Sequence, residues 1–215
     1  MNEAVPGIRR LCIAVAADGG APDGGDAAPV SASSPPTTAT PSLGSLLDEA
    51  CVAADAGRVH WLAGPGGDEL AVFPPGIDEG RVVGDFVRAL RLSVSRMNDG
   101  AGRRTRLRVA LHQGITRCDE QGYGGRAVLK ALHLCEAEVL GQELATHPDS
   151  DLAFIVSAEL FDDVAGDDRP QLRRGEFRQV IVPAPVPGPG FPAWVSAAAP
   201  AALPHSAGPS GRRAC

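Results

Sequence analysis

The first regular pattern along the chain is residues 8–17, where Leu11, Ile13 and Val15 alternate with Cys12, Ala14 and Ala16. Both faces are apolar, which predicts a central strand covered on both sides. Residues 19–42 lose this periodicity and are rich in Gly, Ala, Pro, Ser and Thr. Such a composition predicts a low-complexity, disordered insert. A helix is predicted over 45–56, with Leu46, Leu47, Ala50, Cys51 and Ala54 as its apolar stripe. Ser45 and Asp48 make a capping-box-like pair, and Gly57 suits the position after the last turn. Residues 58–73 read as two short strands around Gly64-Pro65-Gly66-Gly67, a β-hairpin with Asp68 at its tip. The clearest helical spacing covers 79–98, through Val82, Val83, Phe86, Val87, Leu90, Val94 and Met97. Asp78 is its N-cap and Gly100 its stop.

Residues 106–112 alternate with Leu107, Val109 and Leu111 inward and Arg106 and Arg108 outward. This predicts a strand with one wet face or an edge, ending at His112, a hydrogen-bonded structural residue. Residues 113–125 read as a loop carrying Asp119, Glu120 and the run Gly122-Tyr123-Gly124-Gly125. The run lacks the Lys-Ser/Thr pair that completes a phosphate loop. A helix follows over 125–146, broken near Gly141, and His147-Pro148 ends it. Residues 152–156 form a buried strand, and Ser157 caps a short helix to about Ala165. Residues 176–182 form another strand, and 191–197 at most a short edge strand after the Pro/Gly-rich stretch 183–192. The order is α+β, with helices packed on a central sheet. It predicts a tail over 1–7, one domain over 8–197 containing the insert 19–42, and a disordered tail over 198–215.

Composition narrows the class. A chain of 215 residues with 44% hydrophobic and 21% charged residues suits a globular domain with irregular segments. A net charge of −6 argues against a dedicated nucleic-acid surface. No apolar run reaches the length of a membrane span. The five cysteines, Cys12, Cys51, Cys118, Cys135 and Cys215, stand at no CxxC spacing. They read as reduced thiols, which points to a cytoplasmic protein. Arg9-Arg10 before Leu11–Ala17 superficially matches an export signal, but a seven-residue apolar run suits a core strand better.

Four segments carry a family resemblance. Gly67-Asp68-Glu69-Leu70-Ala71-Val72-Phe73 resembles the hairpin of the class III nucleotidyl (adenylate/guanylate) cyclase homology domain. Arg10–Ala17 resembles its first strand, Leu107–Ile115 a later strand and Gly125–Leu134 the opening of the next helix. The resemblance covers about residues 8–182, with a gap over 19–42, and points to a degenerate bacterial member. It implies a ferredoxin-like core, and in active members two Asp residues hold two divalent cations. An Asn orients the ribose, an Arg four residues later stabilises developing charge, and a Lys and an Asp or Cys read the base. Position by position, Asp68 matches the second metal Asp, whereas Ala16 replaces the first, with Asp18 two residues beyond. Leu129 stands at the Asn position and His133 at the Arg position, where a protonated imidazole is a possible phosphate contact. Gly64 and Gly122 fall at the base-reading positions.

This pattern implies a catalytically degenerate domain acting as a regulatory or protein-interaction module, with no cofactor. The alternative is a nucleotide-binding sensor or weak cyclase using Asp68, Asp18 and His133, with Mg²⁺ or Mn²⁺ and ATP or GTP. The partner implied is a second copy or a related chain, in a homodimer or heterodimer through the cyclase-type interface.

Overall fold

The computed structural model describes residues 6–18, 42–57, 59–63, 68–99, 104–120, 122–165, 172–186 and 188–198. The insert and tails expected from composition lie outside these residues, apart from a few at their edges. The fold is α+β, one mixed sheet with helices on both faces.

The strands are β1 (Ile8–Ala17), β2 (His60–Ala63), β3 (Glu69–Val72), β4 (Leu107–Asp119), β5 (Gly122–Gly124), β6 (Leu152–Ser157), β7 (Arg178–Val182) and β8 (Phe191–Ala198). The sheet runs β2-β3-β1-β4-β6-β8-β7, with β5 paired to the far end of β4. Only β4 and β6 run parallel among these pairs. The helices are α1 (Leu43–Ala53), α2 (Glu79–Asn98), α3 (Arg126–Cys135), α4 (Glu138–Thr146) and α5 (Ala158–Val164).

Alternation along β1 explains the two layers. Leu11, Ile13 and Val15 join Val109, Leu111, Phe154 and Val156 beneath α1, α2 and α5. Cys12, Ala14 and Ala16 join Leu70, Val72, Ala110 and Ile155 beneath α3 and α4. The second face is rich in alanine, so α3 lies close to the sheet. A Cβ on Gly114 would stand 3.0 Å from Ala127 Cβ and 3.1 Å from His112 Nε2, so a side chain there would push on α3.

Several expectations are corrected. Ser42, not Ser45, caps α1, because its hydroxyl accepts from the Ser45 amide at 3.2 Å. β4 is neither short nor an edge: it lies between β1 and β6. Residues 113–116, expected in a loop, pair with Ile8–Leu11, and Arg117–Asp119 with β5. Of the arginines that suggested a wet face, Arg106 lies against the end of α4 and Arg108 near Asp18. Arg106 donates to the carbonyls of Leu144, His147 and Ser150, closing the C-terminal end of that helix. The break between α3 and α4 falls at Glu136-Ala137, not at Gly141. β7 begins at Arg178, after a 3₁₀ turn over Arg174–Glu176. β8 is internal, paired with β6 and β7.

The helix expected over 79–98 has those bounds, and Asp78 caps it through the Arg81 amide. Cys12, Cys51 and Cys135 are buried free thiols and Cys118 is exposed, while Cys215 lies outside the described residues. Among the described residues no helix is long and apolar enough to cross a membrane.

Candidate functional site

Strand register sets a row of side chains across the sheet beneath α3 and α4. Val15 faces Glu69 and Ala14 faces Leu70, so the next pair along the ladder is Ala16 and Asp68. On its other side Ala16 faces Arg108, which in turn faces Ala153. The row reads Asp68, Ala16, Arg108, Ala153. At the usual strand spacing, Asp68 and Arg108 stand about 10 Å apart across β1. Between them lies Ala16, buried and with only a methyl side chain.

Asp68 is only 8% exposed. The Arg108 guanidinium leans toward the end of β1, with Nε 4.0 Å from Asp18 Oδ1. Arg108 Nε is buried and has no hydrogen-bond partner. The Asp18 amide donates to Arg106 O at 2.7 Å, which holds the chain as it leaves the sheet. Above it Gly141 of α4 has no side chain, and a Cβ there would meet Asp18 Oδ1 at 4.0 Å. Cys135, on α3, donates its thiol to Arg108 O at 3.6 Å. Burial pushes that thiol up to about 12; Asp68 adds to the rise and Arg108 opposes it.

The other candidate positions lie on α3. Gly125, at φ +112°, begins the helix, and a Cβ there would press to 3.2 Å from Ile115 O. Leu129 projects outward and is 67% exposed. One turn on, His133 Nε2 lies 2.6 Å from Pro183 O, and its ring meets Phe191 edge-on at 5.7 Å. Lys130 reaches Glu159 Oε1 at 2.8 Å and lies over the same Phe191 ring. Burial alone would raise the Glu159 carboxyl, but the hydrogen bond and charge of Lys130 bring it below its ordinary value. The polar groups of α3 therefore tie it to α5 and to the β7–β8 connection. Beside His133, Glu136, Val139, Val182 and Pro183 line a shallow cavity of about 270 Å³.

The structure thus groups Asp68, Ala16 and Asp18 and sets Leu129 and His133 apart on α3. Gly64 lies outside the described residues, and Gly122 sits in β5 opposite Asp119. Sequence reasoning missed Arg108, whose alternation read as solvent-facing, and Ser157, whose hydroxyl meets His112 Nδ1 at 2.8 Å in the core.

Three solved structures share this architecture. An adenylate/guanylate cyclase/hydrolase from Silicibacter pomeroyi superposes with a TM-score of 0.53 at 19% identity, over 87% of this chain and 96% of that one. The catalytic core of a rhodopsin-guanylyl cyclase with converted specificity gives 0.51 at 16%, over 88% and 96%. The guanylyl cyclase Cya2 gives 0.51 at 14%, over 94% and 98%. No family model matches the chain, and no curated protein does. The fold is that of the nucleotidyl cyclase homology domain, as the four sequence segments imply.

The sequence resemblance implies divalent cations between the first strand and the hairpin. The residues present do not fit a metal pair. Ala16 offers no oxygen, and Arg108 brings a cation into the same row. Among the described residues no group of three or more His, Cys, Asp or Glu is placed to hold a metal ion.

Proposed function

We propose that this is a catalytically degenerate cyclase-like domain acting as a regulatory or protein-interaction module. The observation that carries the reading is the rearranged chemistry of α3. At the position the resemblance gives to a ribose-orienting Asn stands an exposed Leu129, which has no polar atom to orient a hydroxyl. At the position given to a charge-stabilising Arg stands His133, whose Nε2 is engaged by Pro183 O. Cyclisation needs the 3′-hydroxyl activated and charge stabilised on the triphosphate. Ala16, Leu129 and His133 supply neither as arranged.

The test is direct. The purified protein is incubated with ATP or GTP and Mg²⁺ or Mn²⁺, cyclic product is sought by mass spectrometry, and thermal shift is read on the same samples. The expected outcome is no product and no shift. A shift without product moves the function to nucleotide sensing and gives Asp68 the metal-ligand role. Cyclic product overturns the reading.

A further inference from the structure

The cavity beside His133 lies where the junction of α3 and α4 meets β7, and carboxylates stand at its rim. We propose that it is the docking pocket for an arginine side chain of a protein partner. This deepens the interaction-module reading, on which it rests, by naming the chemistry of the partner.

Glu136 carries the charge. It is the C-cap of α3, so its carboxylate stands at the negative end of that helix. It is exposed, and among the described residues no ion pair takes it up. Glu138, in the first turn of α4, is likewise exposed and outside those ion pairs. Lys130 on α3 and Arg178 on β7 are already committed, each at 2.8 Å, to Glu159 and Glu143. Arg126 stands at the other end of α3, about 15 Å of helix away. The pocket therefore has a negative rim that the chain itself leaves uncompensated.

The walls suit a stem with a polar head. Val139, Ile181 and Val182 are the apolar side, with Val182 buried and Ile181 64% exposed. The Pro183 carbonyl accepts from His133 Nε2 and keeps a second lone pair. The volume of about 270 Å³ lies below the roughly 300–1,000 Å³ of pockets that take drug-sized ligands, so it suits one side chain. An arginine lays its methylene stem along the apolar wall. Its planar guanidinium gives two parallel donors to the Glu136 carboxylate and has others left for Pro183 O. A phosphate brings more negative charge to a rim that already holds two carboxylates, so the same groups disfavour a nucleotide.

The probe is the blocked tripeptide acetyl-Gly-Arg-Gly-amide, titrated into the isotopically labelled full chain and followed by its backbone amide resonances. The amides of Ala137, Val139 and Val182 are expected to shift together and to saturate in the millimolar range. The citrulline peptide, which keeps the shape and loses the charge, should bind at least fivefold more weakly. Glu136→Gln, at an exposed site, should weaken the arginine peptide by a similar factor. Arginine peptide that leaves these amides unmoved overturns the proposal, as does a citrulline peptide that binds as well. Binding unchanged in Glu136→Gln shows general attraction to an acidic surface and also overturns it. The same shifts with ATP would make the occupant a nucleotide, and the same shifts on concentrating the protein alone would make it a second copy; either overturns it. The readout is separate from catalysis. Failure of the arginine peptide to bind, with no cyclic nucleotide made, sinks this inference and leaves the degenerate-domain reading standing.

Discussion

At His112 one hydrogen bond joins two parallel strands: Nδ1 lies 2.8 Å from Ser157 Oγ, with both side chains buried. The bond has a cost one residue later. Ser157 sits at the N-cap of α5 with extended backbone, yet its hydroxyl makes no capping bond. Burial pushes the His112 imidazole down from 6.5 to about 4, with Lys130 and Arg9 acting in the same direction and Glu159 against it. Above pH 6.5 the ring is neutral folded or unfolded, and it contributes no pH dependence. As pH falls below 6.5, the unfolded chain takes the proton first. Stability is therefore lost between pH 6.5 and about 4. A shift of this size corresponds to about 3 kcal/mol at the acid end. Urea melts at pH 7 and pH 4.5 measure it, and His112→Asn should flatten the wild-type slope. A slope unchanged in the variant places the acid sensitivity in the carboxylates instead. Ser157→Ala should cost about 1–3 kcal/mol at pH 7, because it strands a buried ring nitrogen.

At the element scale, caps and pairings divide what local sequence reveals from what it conceals. Ser42 and Ser45 illustrate the caps. Ser42 Oγ takes the Ser45 amide, so Ser42→Ala should lower stability by about 1 kcal/mol. Ser45→Ala should cost less, and chemical denaturation of both variants checks the order; the reverse order would restore Ser45 as the cap. α2 was legible to its ends because Asp78 and a twenty-residue apolar stripe are local signals. β1 was legible for the same reason, since alternation of two apolar faces needs no knowledge of its neighbours. β4 was half legible. Its apolar half announced a strand, but Gln113–Asp119 are held by pairing with Ile8–Leu11 and β5, partners about a hundred residues or a turn away. The same asymmetry governs the site. Asp68 was visible because Gly67-Asp68 and the strand after it form one local motif. The approach of Arg108 to Asp18 was not, since it depends on Arg108 facing Ala16 across one ladder.

At the scale of the molecule, the sheet is covered on both faces, and among the described residues Ile8, Val52, Ile115, Leu129, Ile181 and Val186 are the exposed large apolar side chains. Fold likeness at this level of identity carries the architecture, and activity has to follow from the side chains. Leu129 stands out because its apolar neighbours on α3, Val128 and Ala131, are buried, whereas it is 67% exposed. An isolated exposed leucine is ordinary on a protein surface. Its position gives it weight, because it stands where the resemblance expects a ribose-orienting Asn. An apolar side chain there has no atom to hydrogen-bond a nucleotide hydroxyl, and the proposed interaction module would use it against a partner. The self-association reading therefore predicts a concentration-dependent dimer by light scattering after size exclusion. Leu129→Glu should shift it toward monomer by at least tenfold in dissociation constant, or about 1.4 kcal/mol. The variant's own fold should be little affected, since surface substitutions usually stay within about 0.5 kcal/mol. Wild type that stays monomeric at high concentration, with Leu129→Glu indistinguishable from it, excludes self-pairing through α3 and turns the search to a different chain.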